Sequence, residues 1–151
     1  MQYWLMKSEP SVFSIDDLRS ISKQTDHWDG VRNYQARNFM KSMKRDDQAF
    51  FYHSNCNPPG IAGIMTVVKE AYPDFTAMDE KSSYFDPKST SSNPRWFMVN
   101  VKFKRKLKKF ITLEELRQHK DLNNLSLLKK GNRLSIMPLS KKEWDIILHL
   151  G

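Results

Sequence analysis

The 151 residues are 39% hydrophobic and 12% aromatic, as in an ordinary globular domain long enough to bury a core. No apolar run approaches the roughly 20 residues of a membrane span, the N-terminus lacks the basic-then-apolar layout of a signal peptide, and the single cysteine, Cys56, excludes an internal disulfide and a cysteine-built zinc site. The net charge of +8 is lopsided: residues 1–100 hold twelve basic and twelve acidic residues, whereas residues 101–151 hold thirteen and five, which predicts a positive face and favours nucleic acid over a small neutral partner.

Tyr3, Trp4, Leu5 and Met6 predict a short buried strand over residues 2–7, ended by Pro10, which has no N–H for a ladder. Ser14 with Asp17 three residues on is a capping box and starts a helix. Residues 20–27 are polar and read as loop. The stretch Trp28-Asp29-Gly30-Val31-Arg32-Asn33-Tyr34-Gln35-Ala36-Arg37-Asn38 has no packing period before Ala36. It reads as a loop that delivers Trp28 to a site, turns at Gly30 and opens a helix with Arg32, Asn33 and Tyr34 beside the ring. Ala36, Phe39, Met40 and Met43 then have helical spacing, and Asp46-Asp47 makes a turn.

Gln48 to Ser54 is an aromatic-rich strand and Asn55 to Gly60 a loop. Ile61 to Ala71 predicts a second long strand, in which Gly60 and Gly63 mark a bend or a close backbone approach. Tyr72 to Pro94 is the longest irregular stretch, a length that is usually functional or mobile. Arg95 to Leu107 alternates as a third strand, and its tail, Lys102 to Lys109, has six basic residues in eight. Thr112 with Glu115, and Ser140 with Glu143, are further capping boxes. Between them lie a leucine-rich helical turn ending at Gly131 and a short strand over Arg133 to Met137. No repeat or internal boundary interrupts the chain, so residues 1–151 are expected to form a single domain. It is of the α+β class, built around a mixed or barrel-like sheet.

Catalytic signatures are weak. There is no P-loop and no G-x-G-x-x-G, and the four histidines lack metal-ligand spacing. Adjacent strand residues point to opposite faces, so His53 is poorly placed to activate Ser54. The acidic pairs Asp16-Asp17, Asp46-Asp47 and Glu114-Glu115 fall at element ends, where caps and turns explain them. Neither a catalytic residue nor a metal or cofactor is expected. Binding reads better. An unstacked base is held between aromatic rings while polar groups read its edge. Trp28, Tyr34, Tyr52, Tyr84 and Trp96 are candidates for stacking, and Asn33 and Ser54 for edge reading. Arg32, Arg37 and the basic run containing Lys102, Lys104, Arg105 and Lys106 are candidates for phosphate contact. Arg37, one turn into the helix, is the better candidate for bracing the loop.

Several motifs carry a family resemblance. Trp4-Leu5-Met6-Lys7-Ser8-Glu9-Pro10, Trp28-x-Gly30-Val31-Arg32-Asn33-Tyr34-Gln35-Ala36-Arg37-Asn38, Phe51-Tyr52-His53-Ser54, Gly60-Ile61-Ala62-Gly63, Glu70-Ala71-Tyr72-Pro73-Asp74 and Gly131-Asn132-Arg133-Leu134-Ser135-Ile136 resemble, in order and over nearly the full length, the EVE domain family. The resemblance implies a PUA-like fold, a small mixed β-barrel with peripheral helices, akin to YTH and PUA-type nucleic-acid readers. It implies a non-enzymatic reader that holds a modified, for example methylated, base of DNA or RNA in an aromatic pocket. It matches Trp28, Asn33, Tyr34, Tyr52 and Ser54 to that pocket, with Lys7 and Ser8 on a neighbouring loop. One departure is the turn: Asp46-Asp47 stands where the family commonly has Gly-Asp. Two other classes stay open. One is an enzyme acting on modified nucleosides, with His53 or an aspartate as acid/base. The other is a protein-interaction module in which the cage takes a peptide cation such as methyl-lysine, with Asp29 its acidic member. The expected partner is nucleic acid carrying a modified base, and the protein is expected to be monomeric and intracellular, cytoplasmic if bacterial and nuclear if eukaryotic.

Overall fold

Trp4 and Met6 pack into one buried cluster while Leu5, between them, packs into another. Strand residues alternate faces, so a strand buried at every position must be covered on both sides. That requirement organises the whole fold. In the computed structural model, which describes residues 1–151, six strands form one mixed sheet in the order β2-β5-β4-β3-β1-β6. Their ranges are β1 Tyr3–Ser8, β2 Thr25–His27, β3 Gln48–His53, β4 Gly60–Pro73, β5 Phe97–Thr112 and β6 Ile136–Leu139. Only β1 and β3 run parallel, with Leu5 opposite Phe50 and Lys7 opposite Tyr52. A parallel pair needs a long crossover, and residues 9–47 supply it, carrying α1 (Ile15–Ser20), β2 and α2 (Tyr34–Ser42). This is the expected α+β, PUA-like arrangement with peripheral helices. The end strands β2 and β6 are not hydrogen-bonded to each other, so the sheet stays open.

One face of the sheet buries Trp4, Met6, Phe51, Met65 and Val101 against α1 and α2, together with Trp28. The other buries Leu5, Phe50, Ile61 and Leu107 against α3 (Leu113–Gln118) and α4 (Lys141–Leu150), where Trp144 stacks on Phe50 at 3.9 Å between ring centres. The three predicted capping boxes all form, at Ser14, Thr112 and Ser140. Gly60 and Gly63 are close approaches rather than bends. A Cβ on Gly63 would lie 2.8 Å from the Arg105 carbonyl oxygen and 2.9 Å from Ile15, and one on Gly60 would collide with the Ile111 backbone.

Four expectations about elements change. Residues 25–27 form strand β2 instead of loop, with Asp26 opposite Val101. Three polar residues leave no hydrophobic pattern, and pairing with β5 alone makes the strand. The last strand begins at Ile136, not Arg133, because residues 129–131 form a turn and residues 132–135 lie outside any strand. The strand predicted to end at Leu107 runs on to Thr112, so the basic run lies within β5. The leucine-rich segment makes two 3-10 turns, Lys120–Leu122 and Ser126–Leu128.

Candidate functional site

The loop between β2 and α2 is held in place from several directions. The Trp28 N–H donates to the Val99 carbonyl at 2.7 Å, which continues the β2–β5 ladder by one residue. The Trp28 ring then meets the edge of Phe51 at 5.3 Å. Gly30 follows with φ of +79°, a left-handed conformation that strains any residue with a Cβ. Space demands glycine as well, since a Cβ there would lie 2.6 Å from the Tyr84 ring. The Gly30 N–H donates at 2.9 Å to Asp74, a fully buried carboxylate that also accepts from Arg32 at 3.1 Å and from the Thr76 N–H at 2.8 Å. Burial alone would raise the Asp74 pKa, but the hydrogen bonds from Thr76, Gly30 and Arg32 outweigh it and hold the group below the usual carboxylate range. Arg32 also donates to the Tyr84 carbonyl at 2.8 and 3.1 Å. The long 74–96 segment is thereby tied to the Trp28 loop, and Tyr84 is set over Gly30.

These constraints build a cavity of about 610 Å³ between the ends of β1, β2 and β3, within the usual size range of small-molecule sites. One wall is Trp28 with Val31, Phe13 and Val12, and Tyr84 closes another side. The polar lining includes Lys7, Ser8, Ser54, Asp29 and Arg133. Lys7 makes no ion pair, and burial lowers its pKa. Asp29 has its pKa raised, first by burial and further by Asp74 and Asp26, with His27 acting in the opposite direction. His27 stands between two carboxylates, 3.2 Å from Asp26 and 3.8 Å from Asp29. Every sealed-in polar side-chain atom of the protein has a hydrogen-bond partner. The Trp28 indole N–H has none within the protein and is not sealed in. The cavity thus offers an aromatic wall, half-buried cationic and acidic groups, and donors without partners.

Of the residues predicted from sequence, Trp28, Lys7, Ser8, Ser54 and Tyr84 come together around this cavity. The Ser8 and Ser54 strand ends are tied by the Ser54 N–H donating to the Ser8 carbonyl at 3.0 Å, while the Ser8 hydroxyl donates to the Phe13 carbonyl at 2.6 Å. Six further candidates lie elsewhere. Tyr52 is 2% exposed and packs in the opposite core, because neighbouring Phe51 takes the Trp28 face. Asn33 caps α2, its side chain accepting from the Ala36 N–H at 2.9 Å. Tyr34 is half exposed and stacks on Trp96 at 4.8 Å, outside the cavity. Arg32 is committed to Asp74 and Tyr84 and braces the loop. Arg37 braces too, donating to the Arg95 carbonyl at 2.9 Å. Trp96 is 6% exposed and donates its indole N–H to Asp86 at 2.7 Å.

Lys102, Lys104, Arg105 and Lys106 are exposed along β5, and none lines the cavity. Lys106 pairs with Asp16 at 3.1 Å and Lys104 donates to Gln48 at 3.1 Å. His53, the suggested acid/base, accepts the Ile15 N–H on Nε2 at 3.2 Å, and burial lowers its pKa. Sequence reasoning missed Asp26, His27 and Arg133 as lining residues. Arg133 sits inside a recognised family motif, which was the available signal. Asp26 and His27 lie in the polar stretch read as loop.

The EVE domain profile matches residues 2–150. Mouse thymocyte nuclear protein 1 is 49% identical over 165 residues, covering 98% of this chain and 73% of the relative. Among solved structures, that of the human THYN1 protein in complex with 5-methylcytosine-containing DNA superposes with a TM-score of 0.94 at 49% identity, covering 99% of this chain and 97% of that one. A protein of Pseudomonas syringae superposes equally well, with a TM-score of 0.94, 49% identity and 98% coverage of both chains.

Proposed function

The chain belongs to the EVE domain family, and from that premise we propose that it is a non-enzymatic reader of a modified base in nucleic acid, with 5-methylcytosine in DNA the first candidate. The observation that carries the reading is the cavity itself: Trp28 forms a wall beside polar groups that have no partner inside the protein. A base turned out of the helix needs an aromatic surface to replace its lost stacking and polar groups for its edge. The cytosine edge offers an exocyclic amine donor beside ring nitrogen and carbonyl acceptors. Asp29 suits the amine, and Lys7 and Ser54 suit the acceptors. Val12, Phe13 and Val31 supply the apolar surface that a methyl group prefers to water. The human relative in complex with 5-methylcytosine-containing DNA supports the choice of base.

The non-enzymatic part of the reading is supported by His53, whose Nε2 is spent on the Ile15 N–H. Base–aromatic stacking is worth about 1–3 kcal/mol, so Trp28→Ala should weaken binding of a 5-methylcytosine duplex by about five- to 150-fold and abolish its preference over the unmodified duplex. Weak general binding should persist. Equal binding of both duplexes by the unaltered protein would overturn the proposal. Conversion of the modified base on incubation, detected by mass analysis of the nucleosides, would replace the reader with an enzyme.

A further inference from the structure

A reader must hold the strand as well as the base, and two basic regions compete for that role. The run on β5 is the denser in sequence, but none of it lines the cavity. Lys106 pairs with Asp16, Lys109 with Glu115 at 2.8 Å and Lys104 donates to Gln48, which leaves Lys102, Arg105 and Lys108 unpaired but away from the base site. The segment from Lys129 to Arg133 differs in reaching the cavity. Lys129, Lys130 and Arg133 are exposed, and none forms an ion pair or a side-chain hydrogen bond. They line a shallow trough of about 490 Å³ together with Asn33 and Gln35 at the start of α2, with no acidic residue in the lining. Arg133 lines both this trough and the aromatic cavity, so the two adjoin at that side chain.

The trough is built, not incidental. The Asn132 amide donates to the Ser126 carbonyl, and its oxygen accepts the Leu134 N–H at 2.8 Å, which fixes the loop. Gly131 has φ of +79° with nothing within 4 Å of where a Cβ would stand, so the backbone is open to close approach. A base that enters the cavity leaves its own sugar-phosphate at the rim, and the neighbouring phosphates must run away from it along the surface. Three cations with no protein partner, beginning at Arg133 on that rim, fit this path.

We propose that the trough formed by Lys129, Lys130 and Arg133 with Asn33 and Gln35 holds the phosphodiester backbone next to the base in the cavity, in place of the basic run on β5. The inference rests on the base-reading proposal above. Its test is salt-dependent binding of DNA duplexes with and without one central 5-methylcytosine, comparing the unaltered protein, Lys129→Gln/Lys130→Gln and Lys104→Gln/Arg105→Gln. All four lysine and arginine positions are exposed, and thermal midpoints measured alongside check that each variant is folded. Each lost phosphate contact removes about 0.9 from the slope of log affinity against log salt, so the trough variant should lose about 1.8 in slope and bind both duplexes about 60-fold more weakly at 0.1 M salt. Its preference for the modified duplex should stay intact, because phosphate contacts carry no base information. The β5 variant should keep the original slope.

An unchanged slope in the trough variant, or equal losses in both variants, would overturn the trough while leaving the base reading in place. A slope change in the trough variant alone, without preference for the modified duplex in the unaltered protein, would overturn the base reading and keep the trough as a backbone site. Failure of the unaltered protein to bind either duplex would overturn both. Displacement of DNA by poly-glutamate at equal charge would reassign the trough to an acidic protein partner.

Discussion

Replacing Asp74 by alanine tests whether the Trp28 loop is held from a distance. Asp74 is fully buried and lies 44 residues from Gly30 in sequence, yet it accepts the Gly30 N–H and the Arg32 guanidinium on one oxygen and the Thr76 N–H and hydroxyl on the other. Truncation leaves four donors without that acceptor. Thr76 is partly exposed and recovers water, and Arg32 keeps the Tyr84 carbonyl. The lasting losses are the Gly30 N–H and the ionic partner of Arg32. Removing one member of a buried ion pair costs about 3–5 kcal/mol. Because the Arg32 side chain is 23% exposed, the lower end, about 3 kcal/mol, is expected. Asp74→Asn should cost less, about 2 kcal/mol, because a carbonyl oxygen can still serve Gly30 and Arg32 while one Thr76 donor goes unpaired.

The assay is denaturant unfolding at pH 7, with base preference measured on the folded variants. The pH dependence adds a second readout. The folded-state pKa of Asp74 is depressed, so its contribution is fully present above the unfolded value of about 3.9 and is lost as pH falls through the lower folded value. The gap between the unaltered protein and Asp74→Ala should therefore close under acid. A loss below 1 kcal/mol, or a gap that stays constant into strong acid, would refute the argument.

Other substitutions separate structural from binding roles. Asp29→Asn should raise stability at pH 7, because the folded-state pKa of Asp29 is raised and its charged form is disfavoured by burial. That gain should vanish as pH falls through the raised value towards about 3.9, while duplex titration should show a weaker preference for the modified base. Tyr34→Ala should cost about 0.5–1.5 kcal/mol of stacking on Trp96, read from thermal unfolding, and leave the base preference unchanged, since Tyr34 lies outside the cavity. Asp46→Gly should stabilise the protein by about 0.5–1 kcal/mol in denaturant unfolding, because Asp46 sits at φ of +77°, where glycine is unstrained.

The Asp46 turn shows what local chemistry makes legible. The family's Gly-Asp at that place marked a turn, and the positive φ is its physical reason. Its neighbour, Asp47, turned out to be a buried anchor, accepting the Trp4 indole N–H at 3.0 Å and the Lys44 N–H at 2.9 Å. The capping boxes and the turn at Gly30 were legible for the same reason, since each is written within a few residues. What sequence reasoning misplaced depends on which face a residue takes. Tyr52 and Phe51 are both aromatic and adjacent, and only the sheet register sends Phe51 to Trp28 and Tyr52 to the far core. Asn33 carried a legible alternative, because asparagine before a helical run is a strong N-cap signal. The role of Asp74 was not legible at all. Its partners are remote in sequence, and an Asp after Pro73 reads as a turn residue. The strand β2 was hidden by its polarity, and with it went Asp26 and His27, which line the cavity from that strand.

The central claim is that a modified base leaves its helix and rests against Trp28. A crystal structure of this protein with a duplex containing one 5-methylcytosine measures that directly. The account predicts the methylated base inside the cavity, within van der Waals contact of the Trp28 ring and hydrogen-bonded to cavity groups such as Asp29 or Lys7. A complex in which the base stays stacked in the duplex and the cavity faces solvent would contradict it.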